Sequence, residues 1–383
     1  MVTQVLSADS HVLEPPDLWT TRMDKQFRDQ APHVETDWDG RKGDFFVCPP
    51  LRPFNPFSLG CAGVPPADQE RLSALGYAAC RPGSWDPVER LKDMDSDGLQ
   101  AEIFYCGYGM SMFGHPDDAF QRDAHRAFND WAAEYASYAP DRLFPIANIS
   151  MTDPDEDLKE VDRVMKLGFR GIFISNDPAP ERRYDNPMWE KFWTAIEEYG
   201  LPVNVHILTG QSTAGQVNQA NPLIDGVLLM VRSYRTISEM ATGGVLDKHP
   251  NLKVISVEND IGWLPGFLKR MDWYSYRFGP RYPQMSKSGG DYWRQQIYST
   301  FQDDEPGMRC RDMLGVTQLM WGSDYRTSTR RSRNRERQSS ATSRACRRTR
   351  GSSSWAATWS ASTASRRSSR VTRRSLPASS KAS

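Results

Sequence analysis

Eight short runs of β-branched and aromatic residues, separated mostly by segments with helical periodicity, constrain the fold of this chain more than any other feature. The runs predict strands at residues 4–9, 101–105, 142–150, 168–175, 201–207, 252–259, 297–302 and 318–324. Regular alternation of strands and helices is typical of right-handed crossovers and a parallel sheet. Eight such units in about 325 residues predict an α/β fold of the TIM-type (β/α)8 barrel class.

An open, doubly wound α/β sheet is the alternative arrangement of the same elements. Sheets of that kind commonly bind phosphates through a glycine-rich loop after the first strand. The first predicted strand here continues as SHVLEPPD, which contains no glycine. The sequence therefore favours the closed barrel over the open sheet.

One long segment interrupts the alternation between the first and second predicted strands. Residues 36–85 are rich in proline and glycine and include the stretch CPPLRPFNPFSLGCAGVPPADQ. Long segments without regular structure inside a compact domain are usually functional. We expect this insertion to form a lid or an oligomer contact over the mouth of the barrel.

The charge distribution divides the chain at residue 325. Residues 326–383 hold 15 Arg, one Lys and a single acidic residue, whereas residues 1–325 hold 32 basic and 47 acidic residues. The formal net charge of +0 is therefore the sum of an acidic body and a basic tail. The tail has too little apolar surface to offset the entropy of ordering, so we expect residues 1–325 to form the barrel and residues 326–383 to be disordered.

Several classes of protein are disfavoured by composition. The cysteines of residues 1–325 show no paired spacing, and the sequence has neither an N-terminal apolar signal segment nor a run of roughly 18 apolar residues. We therefore expect a reduced, cytoplasmic protein without a membrane span. The basic tail could contact nucleic acid phosphates, but no folded module or aromatic pattern accompanies it, so a nucleic acid partner is disfavoured.

Imidazole and carboxylate side chains stand at the carboxyl ends of four predicted strands. Asp9 and His11 end the first strand, His206 the fifth, Glu258 the sixth and Asp324 the eighth. Strand ends of this kind converge on one face of a barrel, where active sites lie. We expect all of these residues except Glu258 to bind one divalent ion, with Glu258 beside them as a proton-transfer group. Such ligands suit Zn²⁺ foremost, and also Mn²⁺ or Fe²⁺.

Each of these residues also has a purely structural interpretation. His206 could be a hydrogen-bonded core histidine, Glu258 an ion-paired strand end and Asp324 a helix cap. His249 precedes the sixth predicted strand, so we expect it at the opposite face of the barrel, where it would pack locally. The hypothesis of a metal site rests on the joint placement of such residues at four strand ends.

Four segments of the chain resemble the amidohydrolase superfamily, in the branch that contains aminocarboxymuconate-semialdehyde decarboxylase and the resorcylate-type decarboxylases. They are SADSHVLEP at the first strand, residues 140–174, residues 249–272 and MWGSDY at residues 320–325. The resemblance implies a metal-dependent barrel, a small carboxylate substrate and an assembly of two or more copies.

The resemblance also implies roles for individual residues. Asp9, His11 and His206 match family metal ligands, as does Asp324, which would also serve as a catalytic group. Glu258 stands where the best-known decarboxylases have a catalytic histidine. The reaction is therefore open between non-oxidative decarboxylation of a small aromatic or unsaturated acid and hydrolysis, and an inactive barrel is a further alternative.

Glu14 lies three residues after His11 in the same matching segment. At this position a carboxylate would either support the metal ligands from behind or face the substrate. The sequence leaves these two interpretations of Glu14 open.

The resemblance implies a Pro-His segment and a closing helix after Tyr325, and the sequence has neither. We expect a shift of reading frame just after Tyr325, because an out-of-frame GC-rich stretch would encode the observed mixture of Arg, Ser, Ala and Thr. Translation of the gene from codon 325 in the two other frames is expected to restore the helix. If neither frame encodes one, the frameshift hypothesis is wrong.

Overall fold

A computed structural model describes residues 5–61, 64–210, 222–281 and 285–325, so the predicted tail at 326–383 lies outside the described residues. The strands are β1 (Val5–Ser7), β2 (His33–Thr36), β3 (Asp44–Val47), β4 (Leu99–Phe104), β5 (Leu143–Pro145), β6 (Ala147–Asn148), β7 (Ile172–Ser175), β8 (Val203–His206), β9 (Val254–Val257), β10 (Ile297–Phe301) and β11 (Leu319–Trp321). β5 and β6 are two parts of the third barrel strand, and β2 and β3 form a separate hairpin.

The barrel strands form a closed parallel cylinder. One sheet has the order β1-β4-β5 and the other runs from β6 to β11 in sequence order, with parallel pairing throughout. The first and last strands meet because the Ala8 amide donates to the Trp321 carbonyl at 2.9 Å and the Asp324 amide donates to the Asp9 carbonyl at 2.8 Å. This closure confirms the predicted TIM-type barrel, and all eight predicted strands are present within a few residues of their expected bounds.

The helices are α1 (Leu18–Arg22), α2 (Phe57–Gly60), α3 (Pro66–Ser73), α4 (Pro87–Asp97), α5 (Asp118–Ser137), α6 (Pro154–Lys166), α7 (Glu190–Tyr199), α8 (Pro222–Thr242), α9 (Val245–Lys248), α10 (Leu264–Phe278), α11 (Gly289–Gln296) and α12 (Glu305–Leu314). Local sequence sets several of their ends. Asp86 and Asp153 each accept hydrogen bonds from the first turn of α4 and α6, and a proline follows each cap. Within the described ranges, none of the helices combines the length and hydropathy that a membrane span requires.

Both faces of the parallel strands are buried, which explains why their sequences read as apolar runs. On the outer side, Ile174 and Val205 share a buried cluster with Phe192 of α7. On the inner side, the Tyr105 hydroxyl donates to the Asn204 side chain at 2.9 Å. Inward-facing positions can therefore carry polar groups, whereas the outward-facing layer is apolar.

The insertion after the first strand packs against loops at the carboxyl ends of the strands. Its hairpin begins at β2, slightly before the predicted boundary at residue 36. The ring of Phe46 stacks on Tyr108, which follows β4, with centroids 4.7 Å apart and planes at 5°. The Tyr77 hydroxyl donates to the carbonyl of Glu14, which follows β1, at 2.6 Å. These contacts place the insertion at the mouth of the barrel, and its role as a lid or oligomer contact remains a prediction.

A buried ion pair holds the first two barrel strands against α4. The Arg90 side chain is 0% exposed and donates to Glu102 at 2.6 Å, to the Ser10 hydroxyl at 3.0 Å and to the His11 carbonyl at 3.1 Å. Its guanidinium also lies 3.7 Å from the ring centroid of Tyr325. A buried charge is costly unless it is paired and hydrogen-bonded, so this network fixes the ends of the first and last strands relative to each other.

Candidate metal centre

Four side chains from three strand ends approach one another at the mouth of the barrel. One ligand atom from each of Asp9, His11, His206 and Glu258 lies within 4.8 Å of the others. The Glu258 Oε2 atom is 3.2 Å from His206 Nε2 and 3.5 Å from His11 Nε2. The Asp9 Oδ1 atom is 3.6 Å from His11 Nε2 and 3.8 Å from His206 Nε2. The two imidazole Nε2 atoms and the two carboxylates therefore face a common point.

Asp324 lies at the edge of this group. Its Oδ1 atom is 4.0 Å from His11 Nε2, and its amide donates to the Asp9 carbonyl across the barrel closure. The structure thus brings together all five residues that the sequence placed at the site, with Asp324 further from the imidazoles than Glu258 is. The ligand roles of these residues remain a prediction.

Backbone carbonyls orient both histidine rings. The Nδ1 atom of His11 is 2.9 Å from the Cys106 carbonyl oxygen, and that of His206 is 2.9 Å from the Ile207 carbonyl oxygen. Because a carbonyl only accepts hydrogen bonds, each Nδ1 carries a proton and each neutral ring presents its Nε2 lone pair to the group. This is the arrangement that metal-binding histidines adopt, so the side chains fit a divalent ion.

Burial makes the charge of the site significant. Asp9 and His206 are 0% exposed and Asp324 is 3% exposed. Burial by itself lowers the pKa of His206, but the carboxylates of Asp9 and Glu258 oppose this and hold the pKa above its usual value. Three carboxylates and two imidazoles in one buried group form an environment that a cation would stabilise.

Strained backbone accompanies the site. Glu258, Asp324 and Leu208 adopt left-handed φ angles of 58°, 42° and 64°. Each costs a non-glycine residue on the order of 1–2 kcal/mol. Such conformations are concentrated at functional sites because the surrounding structure must hold them in place. Here all three residues lie just after barrel strands that end at the mouth.

Glu14 contacts backbone rather than the mouth of the barrel. Its side chain is buried and accepts hydrogen bonds from the amides of Gly107 at 2.8 Å, Tyr108 at 2.9 Å and Gly109 at 3.0 Å. These amides follow Cys106, whose carbonyl orients His11. These contacts agree with the interpretation in which Glu14 supports the candidate ligands, and this role remains a prediction.

His249 lies at the opposite face of the barrel, ahead of β9. Its ring nitrogens are 3.3 Å from Glu197 and 3.5 Å from Glu190 of α7. Local packing of this histidine agrees with the prediction from its position in the sequence.

The sequence did not indicate the groups that orient the candidate ligands. The carbonyls of Cys106 and Ile207 act through the backbone, so no residue type marks them. Arg90 lies within a helical pattern rich in charge, where an exposed position is the usual expectation. The pairing of Arg90 with Glu102 across the strands could have been found only from the tertiary arrangement.

The fold and the site together define the class of protein. It is a TIM-type barrel with a candidate metal centre at the face formed by the carboxyl ends of its strands. The chain belongs to the amidohydrolase family, since the family model described as amidohydrolase matches residues 55–338, well over half of the chain.

Individual proteins of known sequence or structure are also similar to the chain. The γ-resorcylate decarboxylase of Rhizobium sp. (strain MTP-10005) is 26% identical over 249 residues, which cover 62% of this chain and 75% of the relative. An amidohydrolase from Mycobacterium avium subsp. paratuberculosis superposes with a TM-score of 0.70 at 22% identity, covering 86% of this chain and 91% of the other. The 5-carboxyvanillate decarboxylase of Novosphingobium aromaticivorans, complexed with manganese and 4-hydroxy-3-methoxy-5-nitrobenzoic acid, gives 0.60 at 19% identity, with coverages of 86% and 88%. These structures share the fold of the chain.

Substitution of Glu14 tests its contact with the loop that follows β4. In Glu14→Gln one carboxylate oxygen is replaced by an N–H₂ group, which cannot accept a hydrogen bond. At least one of the three backbone N–H groups then loses its acceptor. We expect a loss of about 1–3 kcal/mol in the free energy of unfolding. Chemical denaturation measures this, with the exposed Glu198→Gln as the matched control. Equal stability of the two variants would contradict the assignment.

Proposed function

We propose that this protein is a divalent-metal-dependent enzyme that catalyses the non-oxidative decarboxylation of a small aromatic or unsaturated carboxylic acid. One observation carries the proposal: two imidazoles with their Nε2 atoms turned inward meet three carboxylates at the carboxyl ends of the strands. The γ-resorcylate and 5-carboxyvanillate decarboxylases among the relatives support the reaction and the class of substrate.

Asp9, His11, His206 and Asp324 are the proposed ligands of a single divalent ion. The sequence favoured Zn²⁺, with Mn²⁺ or Fe²⁺ as alternatives. The manganese in the 5-carboxyvanillate decarboxylase complex favours Mn²⁺ for this protein. When bound, the ion would polarise substrate oxygen atoms and offset part of the negative charge of the site.

The proposed reaction requires one proton from the protein. The bond between the substrate carbon and its carboxylate breaks, carbon dioxide leaves, and the electron pair remains on the carbon. A proton from the carboxyl group of Asp324 or Glu258 then takes the place of the carboxylate. The Glu258 side chain is 17% exposed and that of Asp324 is 4% exposed, so Glu258 is the more accessible from the mouth.

Hydrolysis is the second candidate reaction, and the charge of the site is the observation that favours it. Glu258 adds a third carboxylate at a position where the family resemblance implies a histidine. Three carboxylates around one divalent ion leave a net negative charge, which disfavours an anionic substrate relative to a neutral one. In this reaction water would attack a C–N, C–O or C–C bond, and Asp324 or Glu258 would accept its proton.

Metal analysis combined with His206→Ala tests the proposed enzyme. We expect the purified full chain to hold about one divalent ion per copy and to release CO₂ from at least one member of a panel of aromatic and dienoic acids. Because His206 is a proposed ligand, His206→Ala is expected to lose most of the metal and to reduce CO₂ release to background.

The half-exposed His33 of the hairpin provides the matched control, since its ring nitrogens contact Glu35 and the Ala31 carbonyl, and His33→Ala is expected to keep both metal and activity. A wild-type chain without metal would indicate an inactive barrel. Metal-dependent hydrolysis of neutral substrates without CO₂ release would select the second candidate reaction.

We further propose that the protein is cytoplasmic, and fractionation of the producing cells checks this.

We also propose that the protein works as a homodimer or larger assembly. Exposed apolar side chains recur on α8 at the spacing of one helix face, and a second copy would cover them. They are Ile224, Val227, Leu228 and Val231, which are 42–74% exposed.

Light scattering on the full chain is expected to give at least twice the mass of one copy. Val227→Lys, which places a charge in this stripe, is expected to shift the mass toward that of one copy. A wild-type mass of one copy would contradict the proposal of an assembly, and an unchanged mass in Val227→Lys would exclude this face.

A further inference from the structure

Glu258 occupies a more central position than a proton-transfer group beside a metal site requires. Its carboxylate is the one closest to the imidazoles, at 3.2 Å from His206 Nε2 and 3.5 Å from His11 Nε2. Asp324, a proposed ligand, is 4.0 Å from His11 Nε2. Glu258 is therefore closer to His11 than the proposed ligand Asp324 is, and it contacts His206 as well.

The direction of the Glu258 side chain depends on its backbone. Ile255 and Val257 of β9 pair in register with the inward-facing Asn204 and His206 of β8. Since side chains alternate along a strand, an extended residue at position 258 would point away from the barrel axis. The left-handed φ of 58° reverses this direction and turns the carboxylate toward the imidazoles.

A neighbouring strand end holds this conformation. The Glu258 amide donates to the hydroxyl of Thr300 on β10 at 2.8 Å, and the side-chain amide of Asn259 donates to the Val257 carbonyl at 2.8 Å. These hydrogen bonds offset the cost of a left-handed glutamate. Strain that is supported in this way and directs a side chain into a site points to a role in that site.

We infer that Glu258 is itself a ligand of the divalent ion, in addition to the four ligands proposed above. This inference rests on the proposed function, because it requires the ion. The donor set then comprises the imidazoles of His11 and His206 with oxygen atoms of Asp9, Asp324 and Glu258. An additional carboxylate strengthens binding of harder, oxygen-preferring ions such as Mn²⁺ more than binding of Zn²⁺.

Calorimetric titration of the metal-free full chain with Mn²⁺ and with Zn²⁺ tests the inference. Glu258→Gln preserves the size of the side chain and removes its charge. We expect Mn²⁺ affinity to fall at least about 10–100-fold, the loss that follows even when only a group supporting a ligand is removed. The fall for Zn²⁺ is expected to be smaller. Glu258→Asp, which retains the charge on a shorter side chain, is expected to recover part of the Mn²⁺ affinity.

Asp303→Asn is the matched control, because Asp303 is an exposed carboxylate that follows β10 on the same face of the barrel. It is expected to bind both ions as the wild type does. Thermal midpoints of the metal-free proteins show whether each variant is folded, and if Glu258→Gln is not, Glu258→Asp carries the comparison.

The outcomes separate the inference from the function on which it rests. A wild-type chain that binds neither ion overturns both. A wild-type chain that binds Mn²⁺, with a Glu258→Gln variant of equal affinity and reduced turnover, overturns the inference alone and assigns Glu258 to proton transfer. An equal loss for the two ions in Glu258→Gln would support the ligand role and overturn the stated preference for Mn²⁺.

Discussion

Hydrogen bonds between the first and the last strand close the barrel, and the candidate metal centre depends on this closure. The Asp324 amide donates to the Asp9 carbonyl at 2.8 Å, and the Ser323 amide donates to the Ser7 hydroxyl at 2.7 Å. Without these bonds Asp9 and Asp324 would stand at opposite edges of an open sheet. Closure converts two carboxylates from the first and the last barrel strand into neighbours, and it places both beside His11.

Groups outside the candidate donor set determine how His11 enters the site. Glu14 holds the loop that carries the Cys106 carbonyl, and this carbonyl orients the His11 ring. Arg90 donates to the His11 carbonyl from the other side and pairs with Glu102. A single imidazole is thus fixed through both its ring and its backbone. The buried charge of Arg90 is tolerated because each of its nitrogens has an acceptor.

The side chains of the site favour metal-dependent chemistry, but they are compatible with both decarboxylation and hydrolysis. Inward-facing Nε2 atoms and carboxylate oxygens suit a divalent ion and a substrate with oxygen donors. The third carboxylate, Glu258, distinguishes the site from one in which a histidine occupies the same position. If Glu258 coordinates the ion, a third carboxylate offsets the positive charge of the ion, and the attraction of the site for an anionic substrate decreases. Whether Glu258 binds the ion therefore also determines whether the site favours an anionic or a neutral substrate.

The sequence by itself determined the barrel and predicted which residues meet at its mouth. Periodicity is a local property, so eight strands could be located from short runs, and Asp9, His11, His206, Glu258 and Asp324 could be placed at strand ends. The tertiary structure decided their geometry. Strand alternation predicts that residue 258 points outward, and only a left-handed turn held by the neighbouring strand directs it inward. The ring orientations of both histidines likewise depend on carbonyls brought close by folding, which no local pattern encodes.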